Sequence, residues 1–337
     1  MSTRSVDLQW LTCLVRIVVL AGGFGGARFL RGLLGAAPDA QITAIVNTGD
    51  DVTMHGLRIC PDLDTIMYTL GKGLDEERGW GRVGETFAVR DELNAYGVGP
   101  AWFGLGDRDL ATHLVRTQML DAGYPLSAVT TALCARWKPG VTLLPMSDDR
   151  VETHVTVDEP DAGRRAIHFQ EWWVRYGAAL PAEAIVPVGA KEAKPGPGVL
   201  EAIAEADVVV LPPSNPIVSV GVILAVPGIR DAIRAASAPV VGVSPIIGGA
   251  PVRGMADQCL RSAGIEVSAE AVGRHYGARS QTGSPTSGLL DAWLVDTTDA
   301  AAEIDGMRVV AMPLLMPTPV EAATLASAAL EVARAVG

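Results

Sequence analysis

Four aspartates lie within fifteen residues of one another: Asp50, Asp51, Asp62 and Asp64. Mg²⁺ prefers a few carboxylates together with the oxygens of a phosphorylated substrate, so the group as a whole favours a magnesium site. An aspartate that follows a proline also commonly caps a helix. For Asp62 and Asp64 taken singly, the capping alternative stays open.

A glycine-rich stretch at residues 22–26 provides a second candidate feature. It follows the apolar residues 17–21, which predict a strand buried on both faces, and precedes apolar residues at helical spacing from Phe29 to Leu34. Glycine permits close backbone approaches that a Cβ would block. Because a helix begins after such a turn with free N–H groups and the positive end of its dipole, we predict that the stretch binds phosphate. A tight turn that binds nothing is the alternative.

The two commonest phosphate-loop patterns do not match this stretch. The dinucleotide pattern G-x-G-x-x-G, started at Gly23, finds Arg28 where the third glycine belongs. A Walker A loop requires a Gly-Lys-Ser/Thr sequence, and the turn contains no lysine. Arg28 itself has two interpretations: a bidentate phosphate donor or a solvated helix residue.

The elements around these residues follow a strand–helix–strand order. A second strand at residues 42–46 ends in Asn47-Thr-Gly-Asp-Asp51, and a helix is predicted from about Leu63. Further strands are predicted at residues 207–211, 239–243, 290–295 and 308–312, with a closing helix at 320–336. This order predicts a mainly parallel sheet, whose ligands lie beyond the carboxyl ends of the strands.

Two segments interrupt that order. Residues 71–140 are helical in pattern and aromatic, which predicts an inserted helical lobe, while residues 151–157 and 166–176 predict a β-hairpin. His154 and His168 have no metal-ligand spacing and are expected on strand faces. Residues 280–288 are rich in Ser, Thr, Gly and Pro and predict a mobile loop. We expect one α/β domain over 16–337 and an N-terminal extension over 1–15.

Composition excludes several classes of protein. The net charge of −11 leaves no basic surplus for nucleic acid. The chain contains no apolar stretch long enough to span a membrane and begins with no signal-peptide pattern. Its four cysteines are spaced too widely for a zinc knuckle or a redox pair. These features predict a cytoplasmic globular protein with reduced thiols.

Six motifs together resemble the 2-phospho-L-lactate transferase family of coenzyme F420 biosynthesis, the CofD type, which is called FbiA in actinobacteria. They are residues 21–28, 47–51, 60–64, 102–110, 213–216 and 244–247. The resemblance runs from about Arg16 to the C-terminus, and the motifs in combination are highly specific. Pattern and resemblance together predict a Rossmann-like, three-layer α/β/α fold with a mainly parallel sheet, a helical lobe and a β-hairpin.

The resemblance implies a reaction in which a three-carbon acid phosphate moves from its guanosine diphosphate ester to 7,8-didemethyl-8-hydroxy-5-deazariboflavin (Fo), with release of GMP. This sequence is similar to the actinobacterial branch, which favours the phosphoenolpyruvyl donor over the 2-phospho-L-lactyl donor. Family members also suggest a homodimer. No covalent intermediate is expected, because the sequence contains no recognisable Ser-His-Asp or Cys-His arrangement.

The resemblance also implies roles for individual residues. Asp50, Asp62 and Asp64 are expected to hold Mg²⁺, and Asp50 and Asp51 to be catalytic. Asp51 and Arg90 match positions that contact Fo, and Asp51 orients or deprotonates the attacking hydroxyl, orientation being the safer role for an aspartate of ordinary pKa. Ser244 is expected near the guanosine. The remaining expected substrate-binding residues are Gly22, Gly23, Phe24, Gly25, Gly26, Asn47, Ser214 and Asn215.

The sequence is also compatible with two rival functions. One is a non-catalytic, nucleotide-sugar-binding regulator of a related branch with a similar glycine turn. The other is a Rossmann oxidoreductase in which Asp50 binds a ribose.

Overall fold

The computed structural model describes residues 14–159, 162–279 and 288–337. The strands of these ranges are β1 (Arg16–Ala21), β2 (Gln41–Val46), β3 (Val52–Met54), β4 (Leu57–Ile59), β5 (Thr142–Pro145), β6 (Glu152–Glu159), β7 (Gly163–His168), β8 (Ala182–Val188), β9 (Val208–Leu211), β10 (Val240–Val243), β11 (Ile246–Ile247), β12 (Ala250–Pro251), β13 (Ala292–Val295) and β14 (Arg308–Ala311).

The α-helices of the same ranges are α1 (Gly23–Ala36), α2 (Pro61–Leu70), α3 (Ala88–Ala95), α4 (Asp107–Asp121), α5 (Leu126–Trp137), α6 (Val199–Glu205), α7 (Val220–Ala225), α8 (Ile229–Ala235), α9 (Ala256–Ser262), α10 (Ala269–Tyr276) and α11 (Pro319–Val336). Three of these helices, α3, α4 and α5, lie between α2 and β5, in the segment predicted to be helical.

Seven strands form one sheet in the order β14-β13-β10-β9-β1-β2-β5, and every neighbouring pair is parallel. The chain builds outward from β1 through β2 to β5, then crosses to β9 and builds in the opposite direction to β14. The strand order therefore reverses between β1 and β9. In open parallel sheets, such a reversal creates a ligand-binding crevice at the carboxyl ends of the two strands.

Burial of β1 on both faces confirms the prediction from its continuous apolar sequence. Ile17, Val19 and Ala21 belong to one core cluster, together with residues of α1, α2, α5 and α11. Val18 and Leu20 belong to a second cluster, with residues of α6 to α10. Helices therefore cover both faces of the parallel sheet, which confirms the predicted three-layer α/β fold.

The predicted hairpin is only partly correct. β6 pairs with β7 in antiparallel register, but β7 ends at His168 rather than near Tyr176, and β8 adds a third strand that the sequence did not reveal. Beyond His168 the chain turns into a short π-helix, Glu171–Arg175. Phe169 and Trp172, three residues apart, are both buried in one cluster, and that spacing suits a helical turn rather than a strand.

Several sequence predictions concern residues beyond the described ranges or at their limits. Most of the predicted mobile loop at 280–288, and residues 1–13 of the predicted extension, fall outside the described residues. In the part of the chain that the structure covers, no helix combines the length and the apolar character needed to cross a bilayer. Cys60, Cys134 and Cys259 are free thiols.

Close packing of α1 against α11 predicts the effect of two glycine substitutions. A Cβ at Gly32 would overlap the carbonyl oxygen of Ala322 in α11, whereas a Cβ at Gly35 would lie 3.5 Å from Ala323 Cβ, an ordinary contact. Gly32→Ala should therefore lower the free energy of unfolding by about 1–3 kcal/mol. Gly35→Ala, the matched control, should raise it by up to about 1 kcal/mol through helix propensity.

Urea denaturation of the two variants and the parent measures both changes. Equal stability of the two variants would show that α1 and α11 are not packed as closely as described.

Candidate active site

The loops that follow β1 and β9 are joined at the point where the strand order reverses. The Gly22 N–H donates to Ser214 Oγ at 3.2 Å, and the Ser214 hydroxyl donates to the Gly22 carbonyl at 2.8 Å. A Cβ at Gly26 would lie 2.8 Å from Ser214 Oγ, and one at Gly25 would overlap the carbonyl oxygen of Pro213. Glycine at these positions is therefore required by the close approach of the two loops.

Helix α1 begins at Gly23, so the glycine stretch forms the first turn of the helix rather than a loop before it. The Gly23 N–H donates to Asp62 Oδ1 at 2.8 Å. Phe24 and Gly25 follow in the first turn, where backbone N–H groups have no carbonyl partner four residues earlier in the helix. In the predicted phosphate-binding stretch, side chains therefore accept from the N–H groups of Gly22 and Gly23, while those of Phe24 and Gly25 have no such partner in the helix.

Asp62 caps a helix, but not its own. Helix α2 begins at Pro61 and has no side-chain cap, while the Asp62 carboxylate reaches the first residue of α1. Its second oxygen accepts from Asn47 Nδ2 at 2.9 Å. Asn47 also donates to the carbonyl of Val218 at 3.2 Å and accepts from the Gly49 N–H at 2.9 Å. Asn47 and Asp62 therefore connect the loops that follow β1, β2 and β9.

Asp50 and Asp62 form a buried acidic pair beside this network. Burial raises the pKa of Asp50 well above its usual value, and the negative charges of Asp62 and Asp51 raise it further. Burial likewise raises the pKa of Asp62 to about 6. Within the described structure, Asp50 Oδ1 is buried and has no hydrogen-bond partner. Two carboxylates brought together away from water, one with a free oxygen, fit a divalent cation.

The third predicted metal ligand, Asp64, has a different partner. Its Oδ1 pairs with the buried guanidinium of Arg116, and its Oδ2 lies 3.7 Å from His113 Nδ1. Across the described ranges, no three His, Cys, Asp or Glu side chains are grouped so that they could hold a metal by themselves. Asp50 and Asp62 are therefore the two carboxylates that could hold a divalent cation, and Mg²⁺ commonly binds proteins through only one or two carboxylates.

Asp51, next to Asp50 in sequence, has an arginine partner of its own. Its Oδ2 pairs with Arg58 at 3.2 Å, and its side chain is fully buried. Burial raises the pKa of Asp51 to about 7, and the nearby Arg58 opposes that shift. A carboxyl group with such a pKa is a better general base near neutral pH than an ordinary aspartate.

His168 is a site residue that the sequence analysis placed only on a strand face. Its Nδ1 accepts from the Gln170 N–H at 3.1 Å, so the proton of the neutral ring resides on Nε2, which donates to the Asp51 carbonyl at 3.2 Å. Burial lowers the pKa of His168 and favours this neutral form. The antiparallel sheet therefore supports the Asp51 backbone, a contact that residue spacing could not reveal.

The other predicted site residues are engaged mainly in local turns. Asn215 Oδ1 accepts from the N–H groups of Ile217 and Val218, and Ser244 Oγ bonds with Ile246 on both its N–H and its carbonyl. Arg90 pairs with its neighbour Asp91 at 2.8 Å on α3. Arg90 also lines a cavity of about 100 Å³ bounded by apolar side chains of α3 and of the β3–β4 hairpin.

Comparison with known proteins identifies the family. The sequence profile described as 2-phospho-L-lactate transferase CofD matches residues 17–315. The chain belongs to the CofD family. Proteins named phosphoenolpyruvate transferase are 66% identical over 326 residues in Streptomyces griseus and 58% identical over 329 residues in Mycolicibacterium smegmatis. These alignments cover 96% and 95% of this chain and 99% of each relative.

Solved structures support the CofD-family fold. Two crystal structures of one Bacillus halodurans protein, a member of the upf0052 family, superpose with TM-scores of 0.60 and 0.59. They share 18% and 17% sequence identity with this chain and cover 94% and 95% of it, and 100% and 99% of their own chains. Identity this low supports the fold alone. The family match and the named relatives make this CofD-family chain a transferase, and they favour neither the regulator nor the oxidoreductase.

Magnesium is expected to stabilise this CofD-family protein through Asp50 and Asp62. Because burial raises both folded-state pKa values, the stability that these groups contribute is present below their unfolded pKa, near 4, and is lost as the pH rises through about 6 and above. A bound cation offsets that loss. At pH 8, Mg²⁺ at 100 times its Kd should add about 2.7 kcal/mol, measured as a rise in Tm.

Two aspartate variants test the location of that effect. Asp50→Asn removes one of the repelling charges, so it should raise Tm without Mg²⁺ and abolish the Mg²⁺-dependent rise. Asp121→Asn, at an exposed position at the end of α4, should respond to Mg²⁺ as the parent does. An undiminished Mg²⁺ response in Asp50→Asn would contradict the site.

Proposed function

We propose that this chain acts in coenzyme F420 biosynthesis, transferring a phosphoenolpyruvyl group from its guanosine diphosphate ester to the ribityl hydroxyl of Fo, with GMP as the second product. The names of the relatives favour phosphoenolpyruvyl over the closely similar 2-phospho-L-lactyl group. The structural observation that carries the proposal is the buried Asp50–Asp62 pair beside the first turn of α1, at the reversal of the strand order.

The bonds that change in this reaction are those of a phosphoryl transfer. The hydroxyl oxygen of Fo attacks the phosphorus that carries the three-carbon acid, and the bond from that phosphorus to the bridging oxygen of the diphosphate breaks. GMP leaves with the bridging oxygen, and the hydroxyl proton passes to a base. Catalysis of this kind depends on placing the attacking oxygen in line and on neutralising charge on the phosphate oxygens.

Asp50 and Asp62 are the residues that we propose for Mg²⁺, which when bound neutralises charge on the diphosphate. The first turn of α1, at Phe24 and Gly25, has N–H groups without a carbonyl partner four residues earlier in the helix, and we propose that they donate to the same oxygens. For Asp64, whose carboxylate pairs with the buried guanidinium of Arg116, we propose a role in the buried framework rather than in holding the metal.

Asp51 is proposed as the base that receives the hydroxyl proton. Its raised pKa, about 7, gives it more basicity than an ordinary aspartate, which strengthens the deprotonating role over mere orientation. Asp51 and Arg90 match the Fo-contacting positions of the family, and Arg90 borders the apolar cavity next to α3. We extend the proposal, on the resemblance alone, to a cytoplasmic homodimer.

An assay of the purified protein with Fo, the guanylated phosphoenolpyruvyl donor and Mg²⁺ tests the function. We expect a deazaflavin phosphodiester and GMP in equal amounts, detected by chromatography and mass spectrometry. Asp51→Asn should lower kcat by about 10²–10⁴-fold, the usual contribution of a general base, and should leave the KM for the donor unchanged. The parent kcat should decline below about pH 7 as Asp51 becomes protonated.

The exposed variant Asp121→Asn serves as the control and should retain parental kcat. Absence of both products with the parent enzyme would refute the transferase proposal. Full activity of Asp51→Asn would instead refute the proposed role of Asp51 as the base, without contradicting the transferase activity.

A further inference from the structure

Two arginines from distant parts of the chain lie against one aromatic ring at the start of α1. The Cζ atom of Arg28 lies 4.3 Å from the centroid of the Phe24 ring, and that of Arg253 lies 4.4 Å from the same centroid. Phe24 is the second residue of α1, and Arg253 follows the β11–β12 hairpin. Both positive charges are therefore held beside the first turn of the helix.

Among the residues that the structure describes, neither guanidinium forms an ion pair with an acidic side chain. Arg28 donates to the Met316 carbonyl at 3.0 Å, and Arg253 donates to the Arg78 carbonyl at 3.1 Å. Within the described ranges, no carboxylate lies within 4 Å of either group, although Arg31, one turn further along α1, pairs with Glu76. Arg28 Nε is buried and has no hydrogen-bond partner in those ranges.

This absence of acidic partners is unusual for such a chain. Acidic residues outnumber basic ones by 38 to 27, yet both guanidinium groups lie against the Phe24 ring, beside the positive end of a helix dipole. Burial lowers the pKa of Arg28, and the positive charges of Arg31 and Arg253 lower it further, while the negative charge of Glu76, the partner of Arg31, opposes the shift. An arrangement of like charges that costs free energy in the unliganded protein is the arrangement that a bound anion would stabilise.

The surroundings of Arg253 also hold it in place. A side chain at Gly79 would overlap the Arg253 guanidinium, so glycine there leaves room for it, and the carbonyl of the preceding residue, Arg78, accepts its hydrogen bond. The Phe24 ring restricts the guanidinium plane from one side. Arg253 is exposed, so the N–H groups of its planar guanidinium that do not bond to Arg78 are accessible to a ligand, in the fork geometry that suits phosphate and carboxylate oxygens.

We propose that Arg28 and Arg253 together form a binding site for an oxyanion of the donor substrate, either the distal phosphate or the carboxylate of the three-carbon acid. Naming the donor rests on the proposed function, whereas the anion site rests on the two arginines themselves. Phosphate and carboxylate share the recognition chemistry, and the donor carries both groups close together. Binding at this site would orient the donor with its transferable end at the first turn of α1.

The test uses inorganic pyrophosphate as a probe that requires neither guanosine nor Fo. Its Kd is measured by isothermal titration calorimetry for the parent and for Arg28→Gln, Arg253→Gln and Arg253→Lys. The control is Arg261→Gln, an exposed arginine on α9 whose partner is Asp257. The KM for the guanylated donor is measured on the same proteins, and thermal unfolding verifies that each variant is folded.

If the two arginines bind phosphate, both glutamine variants should raise the Kd of pyrophosphate at least 10-fold, and Arg253→Lys should fall between the parent and Arg253→Gln because lysine lacks the fork. If they bind the carboxylate, the Kd of pyrophosphate should stay constant while the KM for the donor rises at least 10-fold. Arg261→Gln should change neither quantity.

The anion site would be overturned if folded Arg28→Gln and Arg253→Gln proteins kept both the Kd of pyrophosphate and the KM for the donor within twofold of the parent values. A parent enzyme without transferase activity, but with pyrophosphate binding that depends on the two arginines, would refute the proposed function and support the site. The two failures are therefore distinguishable.

Discussion

The buried carboxylate of Asp62 is the contact on which the arrangement of the site depends. It receives the first N–H of α1 at 2.8 Å and the amide of Asn47 at 2.9 Å, and so connects the loops that follow two neighbouring strands. The same carboxylate lies beside Asp50, so one group has both a structural and an electrostatic role. A neutral side chain in its place could preserve part of the hydrogen bonding but not the charge that attracts a cation.

The acidic cluster divides into two environments that differ in their counter-charges. Asp50 and Asp62 have no arginine partner among the described residues, and burial raises the pKa of both. Asp51 and Asp64 pair with Arg58 and Arg116, respectively. A cation is therefore favoured only at the first pair, because an arginine already neutralises each carboxylate of the second. This difference in partners favours Asp50 and Asp62 for the proposed cation and Asp64 for the buried framework, while Asp51, whose pKa burial raises to about 7, is the proposed base.

Negative and positive side chains lie at different places around the first turn of α1. The acidic pair lies on the Asp62 side of the first turn of α1, while Arg28 and Arg253 lie against Phe24 in that turn. A phosphorylated substrate can be bound between a divalent cation and guanidinium groups, which together neutralise its oxygens. The overall negative charge of the protein does not oppose such binding, because the local arrangement rather than the net charge determines the field at the site.

Much of this protein could be predicted from local sequence. The apolar run of β1 predicted two-sided burial, the strand–helix–strand order predicted a parallel sheet, and the motifs predicted the CofD family, because each depends on residues adjacent in the chain. Periodicity failed beyond His168, where Phe169 and Trp172 are buried by a helical turn rather than a strand. The sequence also placed the aspartates close together, but it could not show which carboxylates share a site.

Only the tertiary structure decided the partners of these side chains. Asp62 caps α1 rather than its own helix, Asp64 pairs with Arg116, 52 residues away, and His168 reaches the Asp51 carbonyl across 117 residues. Arg253, just after the β11–β12 hairpin, lies against Phe24, which is more than 200 residues earlier in the chain. The composition and order of the chain therefore determined the sheet and the kinds of side chain at its edge. Long-range packing determined which charges are paired and which remain available for a ligand, because spacing along the chain does not specify contacts between distant segments.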